Sequence, residues 1–459
     1  MRSQEELADL GSRVHLFTAD GLYLAFDVNS GSLYTLDEAA WELALRYLQC
    51  GDWEEALLDA ERGFGSREAA EASAELRELA ENGLLFSPGE EWPHYVPGAQ
   101  LGLKAVCLNI AHDCNLACKY CFVPENVRAE EKLMSRETIM AALDFLLRRT
   151  PYQHLTVDFF GGEPLLNFEG IQFAVEYALV HGAQKKWKFT VSTNTLLLGE
   201  KELSFLQEHN FGFVLSCDGR PGIHDSCRVT PGGSATSHLV AQRIREFLEA
   251  GAAAEYFVRG TYTRGNLDFG KDFLYLAGLG AKSISLEPVV APQSSPYALR
   301  EDDLPELQAE YYRLARILRD LERKGQEVSF YHYQLDLAGG PCVAKRLTGC
   351  GAGYQYLAVS PAGEIYPCHQ LVGHREYLMG DVFQGITAPQ LCETLQQAHV
   401  FRKKECSCCW ARFLCGGGCH AQAVLNGGDP LHPSPLHCAV MRARLQGALY
   451  YMALQQNAE

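Results

Sequence analysis

The stretch Cys107-Leu-Asn-Ile-Ala-His-Asp-Cys114-Asn-Leu-Ala-Cys118-Lys-Tyr-Cys121-Phe122 decides how the rest of the chain is read. The apolar run from Ala105 to Ile110 has the length and composition of a buried strand. It opens into a loop whose cysteines are spaced C-x3-C-x2-C. Three thiolates from one tight loop can hold three corners of a cubane iron–sulfur cluster, leaving the fourth iron open to a small molecule. A zinc ion would take a fourth protein ligand, or keep water on three. Three buried thiols without metal is the remaining reading.

On either side of this loop, strand-like and amphipathic helical runs alternate. Strands are expected at 105–110, 155–160, 188–193, 212–217, 255–262 and 282–287, with helices between them, as at 135–149, where Ile139, Leu143 and Leu146 share one face. Six such units predict an α/β fold, a parallel sheet curled into a partial (β/α)6 barrel. Chemistry in such barrels gathers at the C-terminal ends of the strands, where the cysteine loop falls. Four other strand ends stand out. Gly161-Gly162-Glu163-Pro164 offers glycines that allow close approach of backbone to a ligand, and a carboxylate. Ser192-Thr193-Asn194 and Ser216-Cys217-Asp218-Gly219 close the next two strands, with His224-Asp225-x-x-Arg228 following, and Ser285-Leu286-Glu287-Pro288 ends the last. Cys107, Cys217 and Cys227 fit no ligand pattern and read as small core residues.

The chain has 459 residues, 47% of them hydrophobic, enough for two or three domains. Its net charge of −17 disfavours a nucleic-acid surface. No apolar run approaches the roughly 20 residues that span a bilayer, and the N-terminal residues lack the apolar core of a signal peptide. The expected location is cytoplasmic. Seventeen cysteines in a reducing compartment point to metal or redox chemistry rather than disulfides. Only Cys50 precedes Cys107, whereas ten fall between Cys342 and Cys438. The first ninety residues read as three short strands with turns at Asp20-Gly21 and Asn29-Ser30-Gly31, then helices at about 37–49, 52–62 and 66–82, a winged-helix pattern. A Pro- and Gly-containing linker follows. The expected division is 1–88 for the winged-helix unit, 89–103 for the linker, 104–330 for the barrel and 331–459 for the cysteine-rich region.

The cysteine loop with its following aromatic, and Gly161-Gly162-Glu163-Pro164 on the next strand, resemble the radical S-adenosylmethionine (radical SAM) enzymes. The resemblance implies a four-iron cluster on Cys114, Cys118 and Cys121, the catalytic cysteines. Its open iron would be chelated by SAM, whose reductive cleavage gives a 5′-deoxyadenosyl radical that abstracts hydrogen from substrate. It further implies SAM contacts from Tyr120, Phe122, Gly161, Gly162, Glu163, Ser192, Asn194, Ser216 and Asp218. Arg228 would pair with the SAM carboxylate, which suits a guanidinium fork.

Cysteines 350, 368, 406, 409, 415, 419 and 438 resemble the SPASM domain, the auxiliary-cluster extension of radical SAM peptide-modifying enzymes. That resemblance implies one auxiliary cluster on Cys350, Cys368 and Cys419, with Cys342 or a substrate thiol as the fourth ligand. A second would sit on Cys406, Cys409, Cys415 and Cys438, making three [4Fe-4S] clusters in all. Two four-cysteine zinc sites are the alternative. The N-terminal unit looks like the leader-peptide recognition element of enzymes that modify ribosomal peptides, where the leader adds a strand to a sheet edge. Residues 15–31, the Cys114 loop and residues 349–369 are most similar to the maturases of six-cysteine (SCIFF) peptides. The function this implies is formation of thioether crosslinks, Cys sulfur to carbon, within a Cys-rich precursor peptide carrying a leader. An external one-electron reductant would be needed, and neither nucleic acid nor membrane is an expected partner. The alternatives are formylglycine formation by a sulfatase-maturase-like enzyme and a zinc-binding, non-catalytic peptide adaptor. Against the first, His369 stands where an acidic residue would follow the second auxiliary cysteine.

Overall fold

The computed structural model describes residues 3–89, 102–129, 132–251, 255–337 and 343–456. Most of the expected linker, and Cys342, lie outside the described residues.

The N-terminal unit begins with a helix, Gln4–Arg13, that periodicity does not reveal because only Leu10 of it is buried. Its start is set by a capping box, in which Ser3 Oγ accepts from Glu6 N and Glu6 accepts from Ser3 N. Strands β1 (Val14–Ala19), β2 (Leu22–Asp27) and β3 (Leu33–Leu36) form an antiparallel meander in the order β1-β2-β3. The helices Glu38–Cys50, Trp53–Phe64 and Ser66–Glu81 follow, the first capped by Asp37 and the second by Asp52. The period of two divides the sheet between two cores. Val14 and Ala25 pack with Leu43 and Tyr47 of the helices. Phe17, Leu24 and Phe26 join the core of the rest of the molecule. Both faces of the small sheet are therefore covered, and its free polar backbone lies at the outer edges of β1 and β3.

The second sheet has eleven strands. β4 (Ala105–Ala111), β5 (His154–Gly161), β6 (Lys186–Thr193), β7 (Gly212–Ser216), β8 (Tyr256–Tyr262) and β9 (Ser283–Pro288) run parallel in sequence order, each near its expected position. β4 is buried along nearly its whole length, whereas β5 and β6 alternate, with Leu155, Val157, Phe159, Phe189 and Val191 in the core and polar residues such as Asp158 and Thr190 on the other face. The sheet does not end with these six. β10 (Ser329–Phe330) adds in parallel beside β9. On the other side β11 (Tyr356–Val359) pairs in parallel with β4, and β12 (Glu364–Tyr366), β13 (Gly380–Asp381) and β14 (Gly385–Ile386) continue as an antiparallel meander. The cysteine-rich region thus begins as an extension of the parallel sheet, and its backbone hydrogen bonds bring the segment that holds Cys368 alongside β4.

The C-terminal helix, Pro435–Gln456, packs along Leu304–Arg323, burying Leu449 and Tyr450 against Tyr311 and Leu314. The two helices also clamp the first sheet. Tyr450 Oη donates to Asp20 at 2.7 Å, and Arg316 pairs with the same carboxylate. Trp410 stacks on His15 with ring centroids 4.0 Å apart. Arg412 donates to Ser12 O and Asn29 Oδ1, both at 3.1 Å.

Candidate active site

The Cys114 loop is pinned from both sides. Ala117 N donates to Val229 O at 2.8 Å and Lys119 N to Cys227 O at 3.0 Å. On the other flank Gly162 N donates to Ala111 O and Glu163 N to Asp113 O. The two glycines owe their place to this second contact. A Cβ on Gly161, where φ is +131°, would lie 2.1 Å from Ala111 O, and one on Gly162 would lie 2.2 Å from Asp113 O. The sequence suggests close approach to a ligand, but the group approached here is the backbone of the cysteine loop.

A cavity of ≈ 200 Å³ opens above the loop. Cys114, Cys118 and Cys121 line it, as do Tyr120 and Phe122. Gly161, Gly162, Ser192, Asn194 and Ser216 supply the strand-end wall, and Arg228 closes one side. Two residues expected to face a ligand do not reach it. The Glu163 carboxylate is fully buried and saturated by protein donors: Asn194 N at 2.7 Å, Thr193 Oγ1 at 2.8 Å and Leu165 N at 3.1 Å. It ties the end of β5 to the end of β6, and burial raises its pKa to about 7. Asp218 is likewise spent, accepting from Thr261 N, Arg228 Nε and Tyr120 Oη. These bonds hold the Tyr120 ring and the Arg228 guanidinium in place, with Arg228 Cζ 5.6 Å from the Tyr120 ring centroid. His224 and Asp225 serve the local fold, His224 through Asp218 N and Thr236, and Asp225 by capping the helix Ser237–Glu249.

The far wall joins one of the expected strand ends to residues that sequence does not mark as site residues. Arg259, Thr261 and Glu287 rise from β8 and β9, and His369 and Gln370 arrive from the cysteine-rich region. Asn115 pairs with Asn194 Nδ2 at 2.7 Å. Arg444 of the C-terminal helix donates to Glu287 at 2.9 Å, while Ser285 turns to His332 instead of the cavity. His369 sits one residue beyond Cys368, 4.6 Å from the Phe160 ring, with Nδ1 3.2 Å from Tyr356 Oη, and burial lowers its pKa to about 4. One signal was available: β11 is the apolar run Tyr356–Val359, and a strand just before a cysteine is a candidate neighbour for the first one.

Burial pushes the Cys114 thiol up to about 12 and Cys118 to about 11, with the neighbouring loop cysteines adding to both. Such a donor set calls for a positive partner. The later cysteines sort into two groups. Cys368 feels Cys419 and Cys350, and Cys368 and Cys419 share one apolar cluster. Cys406, Cys409, Cys415 and Cys438 line a second cavity, of ≈ 180 Å³. Among the described residues, no three Cys, His, Asp or Glu side chains converge on a single ion. The thiols of the Cys114 loop and of the outer four cysteines line cavities instead. Cys107, Cys217 and Cys227 are buried in the core, and Cys392 and Cys408 lie in neither group.

Residues 101–230 match the model of a 4Fe-4S single cluster domain. The mycofactocin maturase MftC of Mycobacterium ulcerans is 26% identical over 359 residues, covering 75% of this chain and 90% of its own. The serine-type anaerobic sulfatase-maturating enzyme of Klebsiella aerogenes is 23% identical, covering 69% and 80%. Among solved structures, anSMEcpe with AdoMet bound superposes with a TM-score of 0.65 at 21% identity over 78% of this chain and 96% of its own. Streptococcus suis SuiB bound to the precursor peptide SuiA gives 0.51 at 15% identity over 93% and 98%. The three-cysteine loop at the C-terminal edge of the parallel sheet, the match to a 4Fe-4S domain and these relatives point to a radical SAM enzyme. More narrowly, the chain is similar to maturases of that class.

Proposed function

We propose that this enzyme forms thioether crosslinks, Cys sulfur to carbon, in a ribosomally made Cys-rich precursor peptide that carries a leader. The observation that carries the reading is that His369 and Gln370, which directly follow Cys368 of the Cys350–Cys368–Cys419 group, line the cavity above the Cys114 loop. The grouping of the later cysteines supports three clusters. Thiols that surround a space without meeting at one point suit a body larger than a zinc ion. When bound, a cluster on Cys114, Cys118 and Cys121 with SAM on its open iron supplies homolytic hydrogen abstraction, given one electron from an external reductant.

The chain's own residues do the rest. Loop straps at Val229 and Cys227 fix the three thiolates. Arg228, steadied by Asp218, keeps part of its guanidinium toward the cavity for a carboxylate. Ser192, Asn194 and Ser216 offer polar contacts to SAM. His369 and Gln370 give the substrate side a polar wall next to Cys368, which brings a peptide sulfur close to the auxiliary group. The outer edges of β1 and β3 suit addition of a leader strand, because both faces of that sheet are already packed. Likeness to SuiB over 93% of the chain supports a working role for this N-terminal unit.

The test is anaerobic reconstitution with the Cys-rich peptide encoded nearest the gene, SAM and reductant. The expected product loses one pair of hydrogens per bond, resists thiol alkylation and shows the crosslink in tandem mass spectra. Iron should reach about twelve per chain. An aldehyde in place of a crosslink would favour formylglycine formation. Zinc without iron would favour an adaptor. A crosslink that survives replacement of Cys114, Cys118 and Cys121 by Ala would refute the mechanism.

A further inference from the structure

Lys403 is an amphipathic side chain in an unusual place. It has no exposed surface, and its Nζ donates to Gly417 O at 2.7 Å. Gly417 lies between Cys415 and Cys419, one from each auxiliary group, and lines the cavity of the outer four cysteines. The neighbouring carbonyls of Gly416 and Gly418 pack against Gly349, which precedes Cys350 of the inner group. The lysine therefore holds a backbone segment that carries cysteines of both groups and passes beside Gly349.

A buried ammonium is costly unless opposite charge is near. Burial lowers the Lys403 pKa, and the groups that oppose that shift are Cys406, Cys415, Cys419 and Cys438, drawn from both groups. Asp429 feels it too, but as one of its weaker influences. Nearby His399 and His420 are kept neutral by burial, each with its pKa lowered to about 4. Free thiols would leave this charge unanswered, whereas thiolates committed to clusters answer it.

We infer that the Lys403 ammonium is a fixed positive charge shared by the two auxiliary sites, where it raises the reduction potential of the clusters they hold. The inference rests on reading both cysteine groups as iron–sulfur sites. Reduction adds a negative charge to a cluster, and a buried cation in low dielectric favours the state with more negative charge. The Cys114 loop lines a separate cavity from Cys406, Cys409, Cys415 and Cys438 and should not feel the lysine.

The test is a redox titration of the reconstituted full-length enzyme, followed by EPR, comparing wild type with Lys403→Met and Lys403→Arg. Lys403→Met should shift the reduced-to-oxidised ratio of at least one auxiliary cluster about tenfold toward oxidised at a fixed potential, some 59 mV for a one-electron couple. Lys403→Arg should stay near wild type, and the SAM-responsive cluster should be unmoved in both. Auxiliary iron lost from Lys403→Met but kept in Lys403→Arg would support the same charge. Unchanged potentials in a fully loaded Lys403→Met protein would overturn the inference and leave the cluster reading standing. Wild type with only about four irons per chain would overturn both.

Discussion

Replacing Gly161 by Ala is a sharp test of how the barrel holds the cysteine loop. The added Cβ would sit 2.1 Å from Ala111 O, and Gly161 already has φ +131°, a region that side chains rarely occupy. Relief requires that β4 and β5 separate by about 1 Å at their C-terminal ends, a figure set by ordinary contact distances. That movement breaks the 2.8 Å bond from Gly162 N to Ala111 O. Backbone strain costs about 1–3 kcal/mol, and the lost hydrogen bond adds about 1 kcal/mol. A destabilisation of roughly 3 kcal/mol follows, a large share of the stability of an ordinary domain. Cys114 lies three residues beyond Ala111, so the iron it holds should be the iron that is lost. The assay pairs urea unfolding with iron counting after anaerobic reconstitution. Gly161→Ala should fall from about twelve irons to about eight, with auxiliary EPR signals retained. Gly222→Ala, whose Cβ meets nothing within 4 Å, is the control and should stay within about 0.5 kcal/mol of wild type. Full iron and near-native stability in Gly161→Ala would refute this account of the two glycines.

Two further outcomes can be stated. The Glu163 carboxyl has its folded pKa raised from an ordinary 4.5 to about 7, first by burial. The folded state then binds the extra proton between those values, so its contribution favours folding at low pH and is lost as pH rises to about 7, by roughly 3 kcal/mol. Glu163→Gln cannot titrate, so its deficit relative to wild type should shrink by about that amount between pH 4 and pH 8 in urea unfolding of the metal-free chain; parallel pH curves would contradict the assignment. Trp410 joins the cysteine-rich region to the first sheet by stacking on His15, which burial keeps neutral with its pKa near 4. Trp410→Ala should weaken that attachment by about 2 kcal/mol, read as faster amide exchange in β1 and β2 with β5 and β6 unchanged; uniform protection would show that the stack is incidental.

Periodicity and composition along the chain were enough for the six parallel strands, the three-strand meander and the helices after it, because each is a local pattern of apolar spacing and capping. The three-cysteine loop was legible for the same reason: its donors lie within eight residues. The helix Gln4–Arg13 escaped because it buries almost nothing. Sequence suggests that Glu163 and Asp218 face a ligand, since a carboxylate at a strand end looks the same whether its lone pairs are free or taken. Only the folded chain shows them taken, by backbone donors from strands that sequence keeps far apart. Tertiary structure alone also decided that β11 pairs with β4, that His369 shares a cavity with Cys121, and that Lys403 lies between two cysteine groups. Local spacing can specify an element or a chelating loop, but the side chains opposite it are set by packing between distant segments, which leaves no mark on neighbouring residues.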